Sequence, residues 1–434
     1  MRVLFVSHNY PPHGVTGVER VTEWSASALS AAGHSVTVLT RLMTAAPHLP
    51  KLERGEWNGI PVARICGGAG YRHDLRQSRL DRIFERVLLE MIPDVVVFSH
   101  LMNHTPGYIS TAQRLGVRTV VELHDFYAAC ERAHLERPSG ELCSGPEGGR
   151  ACAAHCFAGP EGALARWALR THEFRRALAQ ADAVLAPSPF VAEYFTRRYD
   201  TRSPIKVLPN GVALAPQSRV DVAPRPTDRP LHLASLGAVV EHKGAHVVVD
   251  ALRKARLTSV RYTLFGSIVQ PYAHNLREQA SRVPGLDLQI FGSYDADALP
   301  LLLTDVDVVV VPSIVWESFS IVSREAMACG VPVLASRFGA LAEAVDEGKN
   351  GWLFPAGSSS DLAALLQMLH GNRRLLDQLS HAARASDWIS AAERARKLER
   401  LLETVTHQAG IDGPLDGEQL ELDLMRISLG ALSR

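Results

Sequence analysis

An apolar run at Arg2–Ser7 opens into the turn His8-Asn9-Tyr10-Pro11-Pro12-His13-Gly14, and Thr16-Gly17-Val18-Glu19 then starts an amphipathic stretch. Val21, Trp24, Ala28 and Leu29 fall at helical spacing, and Gly33-His34 stops the helix before a second apolar run at 35–40. Strand, glycine-containing loop, helix and strand in that order make a βαβ unit, which commits the chain to a parallel sheet covered by helices. Further apolar runs at 94–99, 117–123, 182–187 and 205–212 continue the sheet, with helices over 80–91, 108–115 and 162–180. A polar, proline-rich linker at 213–230 interrupts the rhythm, which restarts at 231–236 and continues through 261–266, 286–291, 305–311 and 331–335. A chain of 434 residues exceeds one domain of ~150 residues. The expected class is α/β: two Rossmann-like, doubly wound parallel-sheet domains facing across a cleft. Their expected spans are 1–212 and 213–390, followed by a helix at 391–405 that crosses back and a tail at 406–434 of unknown role.

The most specific stretch lies between the strand ending at Val311 and the one beginning at Val331. Arg324 to Cys329 reads as a helix stopped by Gly330. Backbone N–H groups at its start are a ready anion site. Glu317 precedes the helix and Glu325 follows with seven residues between, roughly 9–12 Å away at 1.5 Å per helical residue. That is the length of a nucleotide-sugar from hexose to ribose. One carboxylate can accept from sugar hydroxyls and the other from ribose hydroxyls, with the diphosphate on the amides of Phe319, Ser320, Ile321 and Val322. Lys243, after the Gly237 loop, supplies a point charge to the same phosphates.

The pattern P-S-x-x-x-E-S-F-S-x-x-x-x-E-A-M-A-C-G, which ends at Gly330, resembles the E-x7-E signature of the family 4 retaining glycosyltransferases, which have the GT-B fold. Ser336 to Glu343 is similar to the family's Gly-Gly-x-x-Glu turn, with Gly339 kept and Ala340 in place of the second glycine, and Asn350-Gly351-x-Leu353 matches a further strand motif. The resemblance implies metal-independent transfer, with retention, from a UDP- or GDP-sugar to a sugar or lipid-linked sugar hydroxyl in polysaccharide or glycolipid biosynthesis. It also implies that Gly17 lets the backbone approach the donor phosphate and that His124, at a strand end, orients the donor sugar. His124, Glu317 and Lys243 are therefore the expected catalytic residues. Where relatives carry an arginine after the loop glycine, this chain has Ala238, and Arg337 and Arg324 are the candidates to replace that charge. Two other classes compete: a nucleotide-sugar epimerase, and a non-catalytic subunit that binds the nucleotide-sugar.

Charge narrows the partners. Acidic and basic residues number 46 each, which leaves no nucleic-acid footprint. No apolar run approaches the ~20 residues of a membrane span, so a cytoplasmic protein is expected, with peripheral membrane contact the most it could make. Arg166, Arg170, Arg175 and Arg176 on the 162–180 helix read as a solvated face. Asp295, Asp297, Asp305 and Asp307 read as caps and turns, and His8, His100 and His104 as structural groups at strand ends.

Four of the six cysteines, Cys130, Cys143, Cys152 and Cys156, fall in an insert at 130–160 with spacing C-x12-C-x8-C-x3-C. In a reducing compartment this clustering points to structural zinc, with His134 or His155 as substitute ligands, before it points to disulfides. Redox-active or free thiols and plain loop cysteines are the other readings. Cys66 and Cys329 read as core residues.

Overall fold

In the computed structural model, residues 1–14, 16–43, 50–67, 78–157, 163–214 and 229–407 are described. Most of the expected linker (215–228), the end of the insert (158–160) and the tail beyond 407 lie outside them. The chain forms two units, Met1–Pro209 joined by the chain from Ala392 onward, and Asn210–Ala391.

In the first unit the elements run β1 (Arg2–Ser7), α1 (Gly17–Ala31), β2 (Ser35–Leu42), β3 (Lys51–Trp57), β4 (Ile60–Cys66), α2 (Ser78–Met91), β5 (Val95–Phe98), α3 (Gly107–Arg114) and β6 (Arg118–Glu122). After the insert come α4 (Ala163–Gln180), β7 (Ala183–Ala186), α5 (Pro189–Thr196) and β8 (Lys206–Val207). The sheet order is β3-β4-β2-β1-β5-β6-β7-β8. Every pairing is parallel except β3 with β4. Strands such as Val95–Phe98 are buried at every position, because helices cover both faces of a parallel sheet. The antiparallel β3–β4 hairpin was not expected. Asn58 and Gly59 turn it with φ of 47° and 77°, the left-handed pair that a two-residue hairpin needs.

In the second unit the order is β9 (Leu231–Leu236), α6 (Ala245–Ala255), β10 (Val260–Phe265), α7 (Gln270–Ser281), β11 (Leu286–Gly292), α8 (Leu299–Leu302), β12 (Val308–Val311), α9 (Ile321–Ala328), β13 (Val333–Ser336), β14 (Gly351–Phe354), α10 (Ser359–Gly371) and α11 (Arg373–Arg384). Its six strands, ordered β11-β10-β9-β12-β13-β14, are all parallel. Asp307 is fully buried and accepts from Arg229 (2.6 Å), Arg373 (3.1 Å) and the His232 N–H (2.8 Å). It is a buried ion-pair anchor at the start of β12.

The expected strand at 205–212 is only two residues long as β8. Val212 instead pairs within the second unit, donating to Ile389 O at 3.0 Å and accepting from Ala391 N at 2.8 Å.

The last helix, α12 (Ala391–His407), belongs with the first unit. Leu398, Leu402 and Val405 join a core that holds Phe5, Val38, Val97 and Leu185.

Candidate functional site

In the second unit, the loop after β9 and the start of α9 form a pocket of about 500 Å³ lined by Gly237, Ala238, Lys243, Ser313, Glu317 and Val322, among others. Two glycines shape it. Gly237 has φ of 104°. Gly244 has φ of 76°, and a Cβ there would stand 2.0 Å from Pro312 O, so only glycine lets the β9 loop lie against the β12 loop. That close approach carries Lys243 to Glu317. Lys243 Nζ donates to Glu317 Oε1 at 2.7 Å, and Ser313 Oγ donates to the same oxygen at 2.6 Å. An ammonium has three N–H donors, so the bond to Glu317 leaves Lys243 with donors for a ligand.

The helix begins at Ile321, earlier than expected, with Ser320 as its left-handed N-cap residue (φ 58°). The Ser320 side-chain oxygen is buried without a hydrogen-bond partner, beside a first turn whose N–H groups have no intrahelical acceptor. Phe319 is buried against Arg324, whose guanidinium lies 3.8 Å from the ring centroid and donates to the Phe319 carbonyl. Burial lowers Arg324 to about 10, against the opposing pull of Glu343. Arg337 is exposed and pairs with Glu347 at 2.7 Å. Neither arginine lines the pocket, where Lys243 is the one cation among the lining residues. Glu325 is 2% exposed within α9 and does not line the pocket either.

The expected residues of the first unit are Gly17 and His124. Gly17 is exposed at the first turn of α1. His124 is buried, and its Nε2 faces Glu122 Oε2 at 3.3 Å. Glu122 also accepts from Ser99 (2.9 Å) and from Arg394 of α12, while Arg394 donates to Ser25 at 2.6 Å. Burial pushes the Glu122 carboxyl up, but Arg394 and His124 outweigh it and hold it well below the usual range.

His8 and His100, read from sequence as structural groups at strand ends, lie side by side at the ends of β1 and β5. Their ring centroids are 4.4 Å apart, with His8 Nε2 3.1 Å from Glu19 and His100 Nε2 3.0 Å from Asp125. No signal in one sequence joins these four positions, which the parallel sheet brings to one edge. His104 is structural as expected, buried and bonded to Ser7 O at 3.0 Å; burial lowers it to about 3.

The insert is clamped to α4. Arg170 is buried, pairs with Glu131 at 2.9 Å, donates to Tyr127 O and lies over the Tyr127 and Phe174 rings. This corrects the solvated-face reading at that position: the segment after β6 covers it. Cys130, Cys143, Cys152 and Cys156 gather within electrostatic reach of one another, with burial raising Cys152 to about 12. The Gly145 N–H donates to the Cys143 sulfur at 3.4 Å. Among the described residues, however, no group of three or more His, Cys, Asp or Glu side chains stands ready to hold a metal ion.

The family described as Glycosyl transferases group 1 matches residues 221–386, and that described as Glycosyltransferase Family 4 matches residues 15–215. The putative colanic acid biosynthesis glycosyltransferase WcaL of Salmonella typhimurium is 32% identical over 32% of this chain and 35% of its own length. Glycogen synthase of Mycobacterium tuberculosis is 26% identical over 90% of this chain and 92% of its own. The chain thus spans about a third of the first relative and nearly all of the second. HepE of Anabaena, solved in complex with UDP, shares the fold at a TM-score of 0.65 with 18% identity, over 93% of this chain and 100% of that one. Sucrose-phosphate synthase of Thermosynechococcus elongatus does so at 0.61 with 18% identity, over the whole of both chains.

Proposed function

We propose that the chain, whose residues 15–215 and 221–386 match two glycosyltransferase family models, moves a sugar from a nucleotide-sugar to an acceptor hydroxyl, with retention and without a catalytic metal. The observation that carries this reading is the Lys243–Glu317 contact of 2.7 Å in a pocket beside a helix start. Departure of a nucleoside diphosphate leaves negative charge on phosphate while positive charge grows at the anomeric carbon. A fixed ammonium and preoriented amides favour the first, and a carboxylate holding sugar hydroxyls positions the second. In this proposal Lys243 meets the diphosphate, with Gly237 and the amides of Phe319, Ser320, Ile321 and Val322 around it. Glu317 meets the sugar and Glu325 the ribose side. Gly17 and His124 keep the roles of phosphate approach and sugar orientation. The UDP complex of HepE supports a uridine donor, and the colanic acid relative supports polysaccharide assembly.

A panel of UDP-, GDP- and ADP-sugars tests the donor by thermal stabilisation. A donor at about a hundred times its dissociation constant adds ~2.7 kcal/mol, and a UDP-sugar is expected to give the largest shift. Silence across the panel would defeat the reading. Turnover of the active donor is expected to be equal with and without added Mg²⁺ or Mn²⁺, whereas a strict requirement would remove the metal-independent mechanism. Ala238 favours a second reading, a subunit that binds donor without turnover; donor binding with neither hydrolysis nor transfer would establish it.

For the insert the proposal is a structural zinc held by Cys130, Cys143, Cys152 and Cys156, supported by their electrostatic proximity and by the Gly145 N–H that donates to the Cys143 sulfur. Binding would have to draw the thiols together from where they lie and deprotonate them. Protein purified without added metal is then expected to carry close to one equivalent of zinc, and less than about a tenth removes the assignment.

A further inference from the structure

Side chains two positions apart on a strand point to the same face of a sheet. β6 ends at Glu122, but the Leu123 N–H still donates to Leu185 O at 2.8 Å. The extended backbone therefore continues and sets Glu122 and His124 side by side. Both are 6% exposed. Both line a cavity of about 380 Å³, together with Phe98, Asp125, Tyr127 and Phe174 among others.

Glu122 is held at both oxygens. Oε1 accepts from Arg394 of α12, while Oε2 accepts from Ser99 at 2.9 Å and faces His124 Nε2 at 3.3 Å. Burial opposes the charge on Glu122, but Arg394 and His124 outweigh it. A carboxylate only accepts hydrogen bonds, so the proton of the neutral His124 ring belongs on Nε2. Nδ1 then carries the lone pair. It is buried, with no hydrogen-bond partner among the described residues, and a buried polar atom without a partner calls for an explanation. A ligand group that meets the ring at Nδ1 has to donate.

Arg394 decides which atom of residue 122 faces the ring. A guanidinium has donors only. An amide at position 122 would therefore keep its oxygen on Arg394 and place its NH₂ where Oε2 stood. That NH₂ would donate to His124 Nε2 and move the ring proton to Nδ1. One atom exchanged at this position turns Nδ1 from acceptor to donor.

We infer that Glu122, oriented by Arg394, is a positioning residue for His124: it keeps the ring proton on Nε2, so that Nδ1 is presented as an acceptor, the sense a sugar hydroxyl needs. Only the effect on turnover rests on the transferase reading and on the place of His124 in it. The tautomer is measured without a ligand.

The test is ¹⁵N spectroscopy of the full-length, ligand-free protein labelled at histidine, at about pH 8, above the ordinary histidine value of ~6.5. The His124 ring is identified by the signals lost in His124→Asn. It is expected to show a protonated Nε2 and an unprotonated Nδ1, and in Glu122→Gln the reverse. Removing one charge of a buried pair can unfold a protein, so Glu122→Gln is accompanied by Glu122→Gln/Arg394→Met, which removes both charges. There the Nδ1–H form is expected beside the Nε2–H form. Turnover of the donor found by thermal stabilisation is expected to fall roughly 2- to 13-fold in Glu122→Gln, the worth of one neutral hydrogen bond, with the nucleoside diphosphate bound as by the parent. A proton on Nδ1 in the parent, or a ring pattern unchanged in both variants, overturns the inference. A reversed tautomer with parent-like turnover overturns the positioning role. A parent without turnover counts against the transferase reading alone, since the ring signals are read without substrate.

Discussion

Replacing Arg394 with methionine is expected to cost about 3–5 kcal/mol of stability, because it strands a buried carboxylate that has lost its cation. Arg394 is 2% exposed and Glu122 6%, so water does not make up the loss. Arg394 is also how α12 reaches the sheet edge, through Glu122 and Ser25. Adding Glu122→Gln to Arg394→Met removes the stranded charge, and the double variant should recover at least half of the loss. Urea unfolding followed by circular dichroism measures both. The pH dependence has a definite sign. A carboxyl whose value is depressed on folding contributes stability that is present above its unfolded value, ~4.3 for glutamate, and is lost as pH falls through the folded value. Glu122 is depressed. The gap between parent and Arg394→Met should therefore be full at neutral pH and close as pH drops below about 4.3. A gap under about 1 kcal/mol at pH 7, in the range of an exposed pair, would show that the two groups are not paired in a dry interior.

The two sheets were legible because a parallel strand covered on both faces must be apolar along its whole length, as Val95–Phe98 and Val308–Val311 are. The hairpin was missed for the converse reason. Lys51–Trp57 has no buried position, so its residues carry no core pattern, although Asn58-Gly59 marked the turn. In the second unit, the residue types at Gly237, Lys243 and Glu317 were readable from loop, helix start and resemblance. Their direct contact was not, since it depends on Gly244 lying against Pro312. The Glu122–Arg394 pair spans 272 positions and leaves no local trace. Glu19 was visible only as part of the capping segment Thr16 to Glu19; its second bond, to His8, appears once β1 and α1 are packed. Arg170 misled because a helix face reads as solvated until the segment that covers it is placed.

Lys243→Ala should produce the largest functional loss. Lys243 is the one cation among the pocket-lining residues, and with Ala238 where an arginine would share the load, little remains to stabilise the leaving phosphate. A charge-assisted bond of ~1.5–3 kcal/mol lost in the transition state slows turnover by roughly 10- to 150-fold. Glu317→Ala should depress turnover more than it weakens the free nucleotide, because in the proposed site the carboxylate addresses the sugar. It should also loosen Lys243, whose Nζ it holds at 2.7 Å. The two losses are therefore coupled, and the double variant should be less impaired than their product. Glu325→Ala separates the two ends of the donor, weakening nucleotide binding with a smaller effect on the rate at saturation. Adding back the arginine, Ala238→Arg, should raise turnover if phosphate charge limits the reaction. Steady-state rates with the donor found by thermal stabilisation, set beside nucleotide dissociation constants, measure all of these. Parent-like turnover in both Lys243→Ala and Glu317→Ala would mean that the sugar is activated elsewhere in the molecule.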